Sequence, residues 1–121
     1  GTNAGTWEWD ITNNQLIVNE RWAEMIGYTK AELGNISSKE FVQLLHPDDY
    51  KENYENLKRH FEGETEFFSA ESRFKHKNGS WVYFMDRARV YERDSTGKPL
   101  KMSGTRQDIS ARKNAEIEID K

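Results

Sequence analysis

Residues 72 to 91 read SRFKHKNGSWVYFMDRARVY. Two alternating runs flank Asn78-Gly79, a strong hairpin signal, because both central positions of that turn favour residues tolerant of positive φ. Upstream, EFFSAESRFKHK predicts one strand; downstream, SWVYFMDRARVY predicts its antiparallel partner. On the downstream strand Val82, Phe84, Ala88 and Val90 point one way, and Trp81, Tyr83, Met85 and Tyr91 the other. Both faces of the sheet are therefore expected to be apolar here. Helices that cover one face leave the second to a flanking helix or to another chain.

Outward from this hairpin, a last strand is predicted over about Leu100 to Ile109, after the loop RDSTGKP. At the other end, TWEWDI alternates Trp7, Trp9 and Ile11 against polar residues, TNN breaks the run, and QLIVN predicts a second hairpin strand. Between the two β regions the period becomes helical. Trp22, Ala23 and Ile26 follow Asn19, a good N-cap, and Gly27 suits a helix stop. Thr29 with Glu32, and Ser37 with Glu40, have the spacing of capping boxes; the second opens a segment carrying Phe41, Leu44 and Leu45. His46-Pro47-Asp48-Asp49 then starts a longer helix, with Pro at its first position and carboxylates where the dipole favours them. Its apolar stripe, Tyr50, Tyr54, Leu57 and Phe61, ends at Gly63.

The chain has 121 residues, enough for one domain with one core. It is 32% charged, yet 15 aromatic side chains (four Trp, five Tyr, six Phe) supply the apolar groups that disordered chains lack. Net charge is −3 with cations and anions interleaved, so no nucleic-acid partner is expected. The absence of Cys excludes disulfides, thiolate metal sites and cysteinyl flavin or p-coumaroyl adducts. It also fits a reducing compartment, and a cytoplasmic location is expected. No apolar run approaches the ~18 residues of a membrane span. The chain begins at Gly1, as a piece of a longer protein would.

In this order and spacing, Gly5-Thr6-Trp7-Glu8-Trp9-Asp10, Asn19-Glu20-Arg21-Trp22, Ile26-Gly27-Tyr28, His46-Pro47-Asp48-Asp49, Lys77-Asn78-Gly79-Ser80-Trp81 and the stretch from Gly104 to Lys113 resemble a PAS domain with its C-terminal PAC segment. The resemblance implies an α+β fold, a five-stranded antiparallel sheet in order 2-1-5-4-3 with short helices on one face. It implies a sensory module of a bacterial or archaeal signalling protein, with an effector such as a histidine kinase or diguanylate cyclase in the same chain. Residues 1–110 would form the sensor, and residues 111–121 the start of a signalling helix.

The resemblance also directs attention to particular side chains. Trp9, Trp22, Phe41, Tyr54, Phe84, Asp86 and Arg106 are assigned to a helix–sheet cleft. Either the cleft takes a small ligand, oriented by Asp86 and Arg106, or its own rings fill it and the domain works by dimerisation and relay. Trp81, Tyr83 and Met85 are assigned to a homodimer face. Asp108, Ile109 and Ser110 are assigned to coupling, with Asp108 pairing with a cation, Ser110 capping the outgoing helix, and Ala111 and Ala115 facing the sheet or a partner. His60 sits near the end of the long helix, from which haem-binding relatives present their iron ligand; its spacing to Asn78-Gly79 and its place off the stripe predict a solvent-facing residue instead. His46 is read as entering the Pro-started helix and His76 as a strand residue near the turn. No cofactor, metal or catalytic residue is expected.

Overall fold

A computed structural model describes residues 4–120. Strands β1 (Gly5–Asp10) and β2 (Gln15–Val18) form the first hairpin. Four helices follow: α1 (Glu20–Met25), α2 (Lys30–Leu33), α3 (Ser38–Leu44) and α4 (Pro47–Phe61). Then come β3 (Phe68–Lys75), β4 (Trp81–Arg93), β5 (Pro99–Asp108) and a final helix, α5 (Ser110–Ile119). The sheet is antiparallel in the order β2-β1-β5-β4-β3, as the resemblance implies.

Local chemistry explains most of the boundaries. The Asn19 side chain accepts the Trp22 N–H at the start of α1, and Gly27, at φ +85°, takes the left-handed conformation after its end. Thr29 and Glu32 complete a reciprocal capping box on α2. The second expected box does not close: Ser37 occupies the cap position, but its hydroxyl donates to Glu40 Oε1 and not to the backbone. The β3–β4 turn also departs from expectation. Within that turn Gly79 alone has positive φ, the His76 carbonyl accepts the Gly79 N–H, and the Ser80 carbonyl accepts the His76 N–H. The loop is therefore three residues ending on a left-handed glycine, in place of a two-residue turn.

The inner sheet face carries two apolar clusters. One gathers Leu16, Val18, Trp22, Ile26, Ile36, Leu45, Phe74 and Phe84; the other gathers Phe68, Ala70, Ala88, Val90 and Met102. Trp7 and Trp9 pack against both. Asp86 and Arg106 face each other across β4 and β5 in the same inner layer. They lie fully within the protein and form a bidentate pair, Arg106 Nε to Asp86 Oδ1 at 2.9 Å and Nη2 to Oδ2 at 2.7 Å. The guanidinium carbon lies 4.0 to 4.7 Å from the ring centres of Phe74, Trp22 and Phe84.

Helix α4 buries only part of the stripe expected of it: Leu57 and Phe61 pack against the second cluster. Tyr50 and Tyr54 are exposed, whereas Asn53 and His60 are buried. The physical reason is that β3 is an edge strand, whose outward backbone groups need partners. Asp49 Oδ2 accepts the Arg73 N–H (2.7 Å), Asn56 Nδ2 donates to the Ser69 carbonyl (3.0 Å), and the His46 N–H donates to the Arg73 carbonyl (2.9 Å). The polar side of the helix is thus turned to the sheet edge. Burial pushes the Asp49 carboxyl up, but hydrogen bonds and charge from Arg73 outweigh it and leave the group below its ordinary value.

His60 belongs to the same polar side, which corrects its reading as a solvent-facing residue. It is buried, Nε2 accepts the Val90 N–H at 3.0 Å, and Nδ1 lies 3.0 Å from the Thr65 carbonyl. Because the Val90 group can only donate, the neutral ring carries its proton on Nδ1 and donates it to Thr65. His60→Ala leaves both backbone groups without this partner, and chemical denaturation should show a loss of about 1–3 kcal/mol. A loss below ~0.5 kcal/mol would match an ordinary surface position and contradict this role.

Candidate functional site: an aromatic cavity and the helix behind it

Because α4 gives its polar side to the sheet edge, its apolar stripe is left facing α3 and the inner sheet. There the two clusters do not merge, and a cavity of about 320 Å³ remains. Its walls are Trp7 and Trp9 from β1, Leu16, Trp22 from α1, Phe41, Val42 and Leu45 from α3 and its end, Tyr50, Tyr54 and Leu57 from α4, and Phe68 and Met102 from the sheet. Ser37, Ser38, Asn53 and Asp86 are the polar members. Val42, Tyr50 and Tyr54 are exposed, and the two tyrosine rings stack 6.1 Å apart.

Five of the seven residues assigned to the cleft, Trp9, Trp22, Phe41, Tyr54 and Asp86, stand in this wall. Phe84 and Arg106 lie behind it, Phe84 in the first cluster and Arg106 holding Asp86. Both Asp86 oxygens are held by Arg106 Nε and Nη2, while Arg106 Nη1 is buried without a hydrogen-bond partner among the described residues. The rings expected to fill the space leave it open instead. Trp7 was legible from its alternation with Trp9; Asn53 was not, since a polar residue between apolar ones carries no periodic signal.

The second feature lies on the opposite sheet face. Trp81 is exposed there, Tyr83 and Met85 are half-buried, and their neighbours on β3 and β5 are largely polar. The apolar patch is thus narrower than expected, and α5 supplies part of its cover. The Lys113 ammonium stands 5.6 Å from the centre of the Tyr83 ring. Glu71 on β3 receives Arg112 Nη2 at 2.9 Å and Lys113 Nζ at 3.0 Å. Hydrogen bonds from Arg112 and then Lys113 hold the Glu71 carboxyl below its ordinary value.

The entry to α5 also differs from expectation. Ser110 is the first helical residue and not the cap; Ile109 stands at the cap position, and Asp108 Oδ1 accepts the Ser110 N–H at 2.8 Å. That bond takes the place of the cation pair expected for Asp108. Ile109 still belongs to the sheet, donating its N–H to the Tyr83 carbonyl at 3.0 Å. Ala111 and Ala115 are exposed, and the sheet side of the helix is made by Lys113.

Residues 15–106 match the family described as PAS fold. The chain is a PAS domain. It is 31% identical over 78 residues to hybrid signal transduction histidine kinase A of Dictyostelium discoideum, a stretch that is 63% of this chain and 4% of that protein. Among solved structures, it superposes on a sensory box histidine kinase/response regulator from Burkholderia thailandensis E264 with a TM-score of 0.86 and 25% identity, covering 98% of this chain and 86% of that one. The N-terminal domain of a diguanylate cyclase with PAS/PAC sensor from Marinobacter aquaeolei gives a TM-score of 0.74 at 21% identity, covering 90% and 97%, a likeness of fold. PAS domains are sensory parts of signalling proteins, and these relatives place such a domain within kinase and cyclase chains. Among the described residues of this PAS domain no helix is long and apolar enough to cross a membrane, and no three His, Cys, Asp or Glu gather as metal ligands would.

Proposed function

We propose that this PAS domain senses a small ligand in the aromatic cavity and relays its presence through α5 to an effector in the same chain, a histidine kinase or a diguanylate cyclase, in the cytoplasm. One observation carries the reading: adjacent residues of β3 hold the cavity wall on one face and α5 on the other. On the inner face Ser72 Oγ receives Asn53 Nδ2 from α4 at 3.2 Å, and Asn53 lines the cavity. On the outer face Glu71 receives Arg112 and Lys113. A displacement of α4 as the cavity fills therefore acts on the strand that sets the position of α5. The open volume supports this reading over a relay module whose core is filled by its own side chains.

If α5 continues into a helix paired with that of a second copy, its rotational phase controls the output. Each added residue turns the downstream face by about 100°. Inserting one residue after Lys113 in the full-length parent should disturb or invert regulation, whereas inserting seven, close to two turns of a paired helix, should largely restore it. Effector activity that tolerates both insertions equally would make α5 a tether and sink the relay.

A further inference from the structure

Resting on the ligand-sensing reading, the shape of the cavity restricts how a ligand can sit in it, because the cavity has a closed side and an open one. Every exposed residue of its wall stands on two helices: Ser38 and Val42 on α3, Tyr50 and Tyr54 on α4. The wall residues supplied by the strands and by α1 are buried or half-buried, with Leu16, Trp22, Phe68 and Met102 among the buried ones. The opening therefore lies between α3 and α4, and α3 has no buried residue of its own to fix it there.

The two sides also differ in polarity. On the closed side Asp86 is the one charged member of the wall, and Arg106 holds both of its oxygens. Trp7 Nε1, Trp22 Nε1 and Arg106 Nη1 have no hydrogen-bond partner, but they present essentially no accessible surface and so add nothing polar to the cavity. Asn53 gives its Nδ2 to Ser72. A charged group pushed to that side would lose its hydration and gain no counter-charge. At the opening, by contrast, the wall carries the hydroxyl residues Ser38, Tyr50 and Tyr54, all within reach of solvent, and a charge held there stays hydrated. The volume of about 320 Å³ corresponds to roughly ten water-sized groups at ~30 Å³ each, the scale of a two-ring body.

We propose that the cavity takes an aromatic molecule of about two fused rings end-on between α3 and α4, and that it selects by where the charge sits. The leading end is apolar, and any charged group lies at the trailing end, hydrated beside Ser38, Tyr50 and Tyr54. A molecule charged at one end is accepted; one of the same frame charged at both ends is refused.

Three probes on one frame separate the elements of this proposal: naphthalene, with no charge; 2-naphthoate, with one terminal charge; and naphthalene-2,6-dicarboxylate, with a charge at each end. Titrations of the domain followed in proton–carbon correlation spectra should show the Leu16 methyl signals, on the closed side, moving with the first two. Those two should bind within about tenfold of each other, and the dicarboxylate at least about a hundredfold more weakly, since one of its charges has to enter the closed side. Tyr54→Arg and Tyr54→Glu both remove the ring and leave opposite charges at the opening. 2-Naphthoate should bind the first of these variants about tenfold more tightly than the second, with the gap narrowing as salt is added, while naphthalene binds both alike. A dicarboxylate that binds as tightly as 2-naphthoate, or 2-naphthoate affinities equal in the two variants, would overturn the end-on assignment and leave the cavity's sensory role standing. Binding of naphthalene alone would also overturn the proposal, by showing that the opening tolerates no charge, and would leave that role standing. If none of the three binds, the proposal fails together with the ligand-sensing reading on which it rests.

Discussion

Arg106→Met should cost about 3–5 kcal/mol of folding stability, read from the denaturant midpoint, because it strands a buried carboxylate. Asp86 has its two oxygens on Arg106 and on no other side chain among the described residues, and both residues are shut off from solvent. The pair lies between Phe84 and Ala88 on β4 in the inner layer, where the two apolar clusters would otherwise join. An ion pair in such a place is weak support for stability as such, since matched apolar side chains could fill the same volume. The double variant Asp86→Leu with Arg106→Met should therefore recover most of the loss. A single variant within ~1 kcal/mol of wild type would mean that the carboxylate finds another partner or water, and that the pair is not what holds this part of the core.

Gly104→Ala is expected to be the other severe change, at about 3 kcal/mol or more, through overpacking against atoms that cannot retreat. A Cβ there would stand 2.4 Å from the Arg87 carbonyl oxygen and 2.5 Å from the Ala88 Cβ. Gly104 pairs with Ala88 on one side and Trp7 on the other, so relief would require parting two central strand pairs. Its backbone φ lies outside the left-handed range, so the requirement for glycine is one of space. As a comparison within the same protein, Gly97→Ala should cost less by the same denaturation assay. At Gly97 no atom lies within 4 Å of the added carbon, and only its φ of +90° opposes substitution. Equal losses at both positions would contradict the packing argument.

Much of this architecture was legible because strands advertise themselves by alternation. Val82, Phe84, Ala88 and Val90 against Trp81, Tyr83, Met85 and Tyr91 placed β4 with its inner face correctly assigned, and the caps at Asn19 and Thr29 located two helix starts. What could not be read depended on groups that no side-chain pattern encodes. The stripe of Tyr50, Tyr54, Leu57 and Phe61 was visible, but the face α4 gives to the sheet is fixed by the unpaired backbone of β3, which draws Asp49 and Asn56, and by the Ser72 hydroxyl, which draws Asn53. His60 was misplaced for the same reason, its partner being the Val90 N–H. The hold of Glu71 on α5 joins residues 41 positions apart across two elements, a distance at which periodicity is silent. The cavity is a consequence of these orientations and not of any one motif.

The account therefore turns on whether α5 responds to the state of the cavity. Hydrogen exchange at residues 110–119, compared between the wild-type domain and Leu57→Trp, is the most direct measurement. The larger ring, carried by α4, occupies the cavity permanently and needs no ligand to be identified. Exchange in α5 should accelerate severalfold as β3 shifts and the Glu71 clasp loosens, and in a Glu71→Gln background the same substitution should make little further difference. Exchange in α5 that is unchanged by filling the cavity, in a variant whose β3 and α4 amides show that it is folded and altered there, would contradict the account.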